Sequence, residues 1–234
     1  MNNYDFAKAD FNAVYEGGEL LPGAAIRSVP WDIGEVQPAV VEAERAGRFR
    51  GEVLDAGCGP GDNAGFLADR GYRVTAVDAA SAAIEMAKER TKGYDIQFAV
   101  ADATVLDGFE GCFDSVLDSA FYHTLDEPGR RSYITALHRA TRPGAILTML
   151  CFAAVPGGMP APLAVSEPDL RDALTCAGWG ITHFSPSVFA GVAAPMEKFF
   201  EKTGSRPELD DRGRTRLPVW LVHADRLDSG IQTS

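Results

Sequence analysis

Apolar positions in the first two thirds of the chain alternate between short continuous runs and spaced, one-faced patterns. That alternation is expected of an α/β chain with a parallel sheet and crossover helices. The run "EVLDAG" ends in glycine, and "GDNAGFLADRGY" follows with Phe66 and Leu67 on one helical face before Gly71 closes it. "YRVTAVD" reads as a second strand. Ser81 then offers a cap for a helix carrying Ile84, Met86 and Ala87, with Lys88, Arg90 and Lys92 near its negative end and Gly93 as the stop. "IQFAVAD" and "FDSVLDS" read as strands three and four. Asp126 and Pro128 open a helix through Tyr133, Ile134 and Leu137 that ends at an "RPG" turn, Arg142 to Gly144. "AILTMLCF" is apolar on both faces, as a central fifth strand should be.

Beyond Phe152 the rhythm loosens. "AAVPGGMPAPLAV" reads as a loop, and the Ser166 to Asp169 spacing as a capping box for a helix with Leu170 and Leu174. "WGITHFS" and "VWLVHADRL" supply two closing strands, with Pro218 expected just outside the second because proline cannot donate to a central ladder. An insertion from about Pro186 to Gly213, with a short helix near Met196 to Thr203, has the length of a lid or binding loop. No internal repeat or second domain is evident, so one domain over 1–234 is expected.

Composition narrows the class. With 234 residues, 46% of them hydrophobic, the chain can build a full single-domain core. No uncharged apolar stretch reaches about 18 residues, and "MNNYDFAKADF" carries acids where a secretory signal carries bases, so a cytoplasmic protein without a membrane partner is expected. The four cysteines, Cys58, Cys112, Cys151 and Cys176, form no CxxC pair, which suggests neither a zinc knuckle nor a disulfide framework. A formal charge of −11 opposes nucleic-acid binding, and the basic run "DDRGRTR" is half neutralised by its own acids. Monomer and homodimer are both compatible with these features.

The chemistry concentrates between Val53 and Ser81. Gly57, Gly59 and Gly61 give a turn at the end of the first strand where a ligand can approach the backbone, and Asp78 ends the second strand about twenty residues on, placed to accept the hydroxyls of a ribose. Two ligands compete for this geometry, a dinucleotide and S-adenosylmethionine. The glycines here are spaced D-x-G-x-G-x-G from Asp55 to Gly61 rather than G-x-G-x-x-G, and Asp62 stands at the helix start. At about 5 Å and an effective dielectric of about 20, its charge would repel each pyrophosphate charge by roughly 3 kcal/mol. A zwitterionic methionine with a cationic sulfonium meets no such objection, and Asp55 can help hold its ammonium.

"VLDAGCGPG", "VTAVD", "VADA" and "FDSVLDSAFYH" together resemble the motifs of class I S-adenosylmethionine-dependent methyltransferases over about Pro30 to Phe152. "PWDIGEVQP" and "DSAFYHTL" are similar to a small bacterial group that includes the mycobacterial heterocyclic toxin methyltransferases, and more remotely to thiopurine and thiol methyltransferases. The resemblance implies a Rossmann-like, seven-stranded, doubly wound sheet with helices on both faces, a lid formed by residues 1–36 and 186–213, and a small aromatic or heterocyclic acceptor methylated on a hydroxyl. Thiol S- or N-methylation is the alternative. It places Asp55, Gly57, Cys58 and Gly59 around the methionine, Asp78 on the ribose, and Ala79, Asp102 and Ala103 about the adenine. Asp118 and Ser119 would lie along the methyl's path, with Trp31 and Gln37 closing from the amino-terminal side. Cys58 also reads simply as a small residue in a tight turn, Trp31 as an apolar anchor and Gln37 as a helix-start residue.

Methyl transfer from a sulfonium is an in-line displacement, so alignment in a dry pocket is the main requirement. His123, five residues past Asp118, has the intrinsic pKa to accept a hydroxyl's proton, or it could only orient an acceptor that is already acidic. Tyr122 reads either as a substrate contact or as core packing, and His138, His183 and His223 as structural or exposed. "DSAFYH" lacks the N/D-P-P-Y/F motif used on amino nitrogens, and no proline-cysteine pair offers a nucleophile for cytosine carbon. No metal is expected. Two other classes fit more loosely: a protein that binds S-adenosylmethionine without catalysis, and a nicotinamide-dependent reductase.

Overall fold

The computed structural model describes residues 9–23, 26 and 28–227. Two helices, α1 (Phe11–Tyr15) and α2 (Pro38–Arg45), precede β1 (Glu52–Ala56), α3 (Asp62–Asp69), β2 (Arg73–Asp78), α4 (Ser81–Arg90) and β3 (Ile96–Val100). Then follow β4 (Phe113–Ser119), α5 (Glu127–Ala140), β5 (Thr141–Phe152), α6 (Glu167–Cys176), β6 (Trp179–Val192), α7 (Glu197–Thr203), β7 (Glu208–Leu209) and β8 (Arg214–Arg226). The sheet has eight strands in the order β3-β2-β1-β4-β5-β8-β6, with the two-residue β7 added beside β8. β1 to β5 pair in parallel, and β8 runs antiparallel to β5, β6 and β7. The doubly wound α/β expectation holds, with one strand more than expected and with a direction for β8 that an apolar run does not encode.

Alternation along β1 divides the core. Val53 packs with Val40, Ala43, Leu67 and Ile84 on one face; Leu54 and Ala56 join Ile134, Leu137, Leu170 and Trp179 on the other. Because β2 lies on one side of β1 and β4 on the other, the chain changes direction between β1 and β4, and their carboxyl ends open the crevice where ligands bind in such sheets.

Local chemistry sets several boundaries. Asp126 and Ser166 cap α5 and α6, accepting from the amides of Gly129 and Asp169. Ser81 is the first residue of α4 and not its cap; the cap position falls on Ala80, which has no side-chain acceptor to offer, and Asn12 of α1 reaches across so that its Oδ1 accepts from the Ala82 amide at 3.0 Å. The "RPG" segment lies inside β5 at a register shift, where Arg142 pairs with Asp114 at 2.7 Å, so it is a bulge and no separate turn. Pro218 lies within β8. Its carbonyl accepts from Ala153 just past the end of β5, so its ring faces a place where no ladder bond is needed. The insertion begins later than expected, because Pro186 to Val192 continue the edge strand β6 as an arm paired with β8.

Candidate active site

The turn after β1 is held by its neighbour: the amides of Gly57 and Cys58 both donate to the Val77 carbonyl at 2.9 Å. Gly57 has φ +72°, and a Cβ there would lie 2.5 Å from the ring of Phe121; one on Gly59, φ +52°, would lie 2.9 Å from the Tyr15 hydroxyl. Glycine keeps this floor open. Asp78 reaches over from β2, one oxygen accepting from the Gly59 amide at 3.0 Å and the other from the Ala80 amide at 2.8 Å. Each oxygen keeps lone pairs for the hydroxyls of a sugar. Ala79 is exposed beside it.

Beneath the turn lie two buried carboxylates. Asp55 is 1% exposed, and no donor among the described residues reaches either of its oxygens with hydrogen-bond geometry. Burial, with Asp78 and Asp118 adding to it, pushes its carboxyl up to about 7. Asp118, fully buried, accepts from the amides of Phe121 (2.8 Å) and Tyr122 (3.1 Å), and burial raises it to about 7 as well. An unpartnered buried carboxylate calls for a cation, and the ammonium of a methionine fits that demand; a pyrophosphate does not. Asp62 no longer counts in this choice, because Arg90 reaches back to bind it at 2.6 Å and Asp32 at 2.7 Å.

The expected site residues divide into two groups. Asp78, Ala79, Gly57, Gly59, Ser119, Trp31 and His123 all line one cavity of about 200 Å³ at the carboxyl edge of the sheet. Ser119 Oγ is buried with no partner among the described residues, and Trp31 donates from Nε1 to the Tyr15 hydroxyl at 2.7 Å, above Gly59. Asp55, Cys58, Asp118 and Gln37 are buried away from the cavity lining. Burial pushes the Cys58 thiol well up, so it is an inert turn residue. Asp118 spends its oxygens on the backbone that turns after β4. Gln37 is a staple: its amide nitrogen donates to the Ala190 carbonyl at 2.9 Å and its oxygen accepts from the Ala190 amide at 3.0 Å, fastening the start of α2 to the β6 arm. Asp102 is exposed and accepts from the Thr104 amide and hydroxyl, with Ala103 buried beside it.

Tyr122 does not face the cavity. Ala120, at φ +75°, rotates the chain so that Phe121 projects inward, while the Tyr122 ring packs by Tyr133 and beneath the Arg130 guanidinium. His138 abuts Trp179, His183 bonds Ser185, and His223 meets the Thr148 hydroxyl. None of these three lines the cavity.

Tyr15 and the β6–β8 arm were not signalled by any motif, and Phe121, though inside "DSAFYH", was given no role. Across the arm Phe189 pairs with Leu217 and Gly191 with Thr215, and all four line the cavity. The amino-terminal segment crosses there, the Val192 amide donating to the Pro30 carbonyl at 2.7 Å. Phe11, Leu20, Phe152, Met159 and Phe199 are among the residues of the remaining walls. His123 is 3% exposed, its ring stacked 3.9 Å from that of Phe152, and its Nδ1 accepts from the Phe152 amide at 3.2 Å. Burial, with Arg130 adding to it, lowers the imidazole to about 3, so it is neutral.

The cavity thus brings a glycine floor and a carboxylate with free lone pairs next to an apolar chamber, above a buried carboxylate without a partner among the described residues, and the chain belongs to the S-adenosylmethionine-dependent methyltransferases. Residues 53–144 match the family model described as a methyltransferase domain. Among named relatives, a 2-heptyl-1-hydroxyquinolin-4(1H)-one methyltransferase of Mycobacteroides abscessus is 36% identical over 206 residues, 84% of this chain and 88% of the relative. A solved structure from work on the conversion of a disulfide bond into a thioacetal group during echinomycin biosynthesis is 36% identical, with a TM-score of 0.77 over 93% of this chain and 91% of its own. The Burkholderia thailandensis 1,6-didemethyltoxoflavin-N1-methyltransferase, solved with its acceptor and S-adenosylhomocysteine, shares the fold at 22% identity, with a TM-score of 0.57 over 82% of this chain and 77% of its own.

Proposed function

We propose that this enzyme methylates a hydroxyl oxygen of a small aromatic or heterocyclic acceptor held in the apolar half of the cavity. The observation that carries this reading is a chamber walled by Phe121, Phe152, Phe189, Phe199 and Leu217 that offers one fixed imidazole edge, that of His123, near the donor end. The hydroxyquinolone named for the mycobacterial relative is an acceptor of this kind. A second reading, transfer to sulfur, draws on the echinomycin-related structure, which matches this chain at the same identity.

Bound S-adenosylmethionine supplies a methyl group on a positively charged sulfur. In this reading Asp78 grips the ribose, Asp55 faces the methionine ammonium, and Ser119 Oγ takes a polar atom of the methionine. Asp102 and Ala103 stand by the adenine. Phe121 and the aromatic walls exclude water and hold the acceptor in line, an alignment worth up to about 7–11 kcal/mol. Residues 9–23, 26 and 28–36 and the segment following Val192 act as a lid; residues 1–8, 24, 25 and 27 of the expected lid lie outside the described part of the chain. In this reading the enzyme works in the cytoplasm as a monomer or homodimer and without nucleic acid, whose binding its net charge of −11 opposes; among the described residues no helix is long and apolar enough to cross a membrane.

Turnover with S-adenosylmethionine and a panel of hydroxyquinolones, phenols and thiols tests the acceptor; products from oxygen acceptors are expected, and products from thiols alone would favour the second reading. Asp78→Ala should weaken donor binding by at least about tenfold, the loss of one hydrogen bond involving a charged group. Unchanged affinity would remove the donor assignment.

A further inference from the structure

The geometry points to an acceptor that enters the site already ionised, with His123 as a fixed hydrogen-bond donor to it and no protein base removing its proton. This rests on the reading that the acceptor is a hydroxylated aromatic or heterocycle in the cavity, and it narrows that class to acidic members: N-hydroxy heterocycles, enolic hydroxyl groups and their relatives.

Among the described residues lining the cavity the ionisable side chains, hydroxyl groups of serine and threonine aside, are Tyr15, Asp78 and His123. Tyr15 accepts from Trp31 at 2.7 Å and holds its own proton firmly through burial and the nearby Asp78. Asp78 is engaged with two amides at the donor end. That leaves His123. A backbone amide is always a donor, so the Phe152 N–H pointing at Nδ1 places the imidazole proton on Nε2. Stacking on Phe152 at 3.9 Å holds the ring in plane, and the Arg130 guanidinium binds the His123 carbonyl at 3.0 Å. Titratable groups on the surrounding elements are Arg130 on α5, Asp118 and Tyr122 beside the ring in sequence, and Cys151 on β5. Asp118 is committed to the amides of Phe121 and Tyr122, while Arg130 and burial both disfavour an imidazolium. The edge free of protein partners among the described residues is therefore an N–H, which can steady an oxygen anion or a neighbouring carbonyl but cannot take a proton.

The charge balance agrees. The acceptor oxygen's lone pair forms the new O–C bond as the C–S bond breaks and its electrons stay on sulfur, so anion and sulfonium yield two neutral centres and no proton is released in the step. Asp78 and, once ionised, the buried Asp55 and Asp118 repel an anionic acceptor until a cation is in place, which favours donor binding before acceptor. A plain phenol, with a pKa of about 10, is only about one-thousandth ionised at pH 7 and is a poor substrate on this account.

The test is kcat/KM from about pH 5.5 to about pH 9 for a ring-substituted phenol series and for 1-hydroxyquinolin-4-one, whose acidities differ. The rising limb should move with each acceptor's own pKa, falling about tenfold per pH unit below it. In parallel, the absorption spectrum of 4-nitrophenol bound to the enzyme with an unreactive amine analogue of the donor should be that of the phenolate at a pH where the free phenol is neutral. His123→Gln, which keeps an N–H donor, should retain that spectrum and the same limbs, whereas His123→Ala should raise KM at least tenfold with donor affinity unchanged. A limb at one fixed pH for every acceptor, abolished in His123→Gln, would overturn the inference and leave the acceptor reading standing. No methylated product from any oxygen acceptor, with the donor bound, would bring down both.

Discussion

Replacing Asp55 with asparagine should make the ligand-free protein more stable at alkaline pH and a worse binder of the methyl donor. Raising a carboxyl from its ordinary 3.8 to about 7 means that the folded state holds its proton more tightly than the unfolded chain. The resulting penalty is absent below about pH 4, grows as pH rises, and is complete above about pH 7, where it reaches about 4 kcal/mol at about 1.4 kcal/mol per factor of ten. Desolvation is the larger cause and repulsion from Asp78 and Asp118 the smaller; relaxation of the surroundings lowers the realised penalty to about 2–3 kcal/mol. Asparagine removes the charge and leaves a buried amide short of partners, at a cost of about 1 kcal/mol. The net gain is about 1–2 kcal/mol at pH 8, or about 3–6 °C in Tm for a chain of this size, and it vanishes or reverses near pH 4.5. Calorimetric melting of both proteins at the two pH values, with and without S-adenosylhomocysteine, reads the effect. The ligand-induced rise in Tm should shrink in the variant, because the methionine ammonium has lost its counter-charge. A variant that melts below the wild type at pH 8 and binds the ligand equally well would refute both the strain and the role.

Gly57→Ala should destabilise the fold by about 2–4 kcal/mol and weaken donor binding at least tenfold, since its Cβ would meet the Phe121 ring at 2.5 Å in a left-handed backbone; a urea midpoint equal to wild type would contradict this. Gln37→Ala should cost about 2–3 kcal/mol by leaving the Ala190 amide and carbonyl unpaired in a buried place, read as a lowered urea midpoint with unchanged slope. Saturating S-adenosylhomocysteine should slow hydrogen exchange in residues 9–23 and 28–36; identical rates with and without it would dispose of the lid.

Much of the sheet was legible because β1 to β4 are short, largely apolar runs and β5 carries the continuous apolar run "AILTMLCF", while the glycines after β1 and the helix caps at Asp126 and Ser166 mark where the chain turns. Apolar runs carry no direction, so the reversal of β8 could not be read. Nor could the arm beyond Pro186, because a proline that ends a central strand is harmless on the edge strand that β6 turned out to be. The donor end showed in the glycine spacing and Asp78, whose positions follow from backbone needs. Phe121 and Tyr122 could not be told apart, since one left-handed residue at Ala120 decides which ring turns inward. Gln37 gave no sign of its partner, which lies 153 residues away. Arg90, read as complementing the negative end of α4, also neutralises the very aspartate that had argued against a dinucleotide.

The facing pairs Phe189–Leu217 and Gly191–Thr215 give the chamber a tiled wall. Between them, Ala190 is held through its backbone by Gln37, and Arg216 opposite is exposed. Exchange of a tile such as Leu217 reshapes the guest's berth and leaves the ladder of main-chain bonds intact. On the proposed reading acceptor preference can thus drift by single replacements along these two ribbons, while Asp78 at the end of β2, four and five places away across the sheet, stays unaltered.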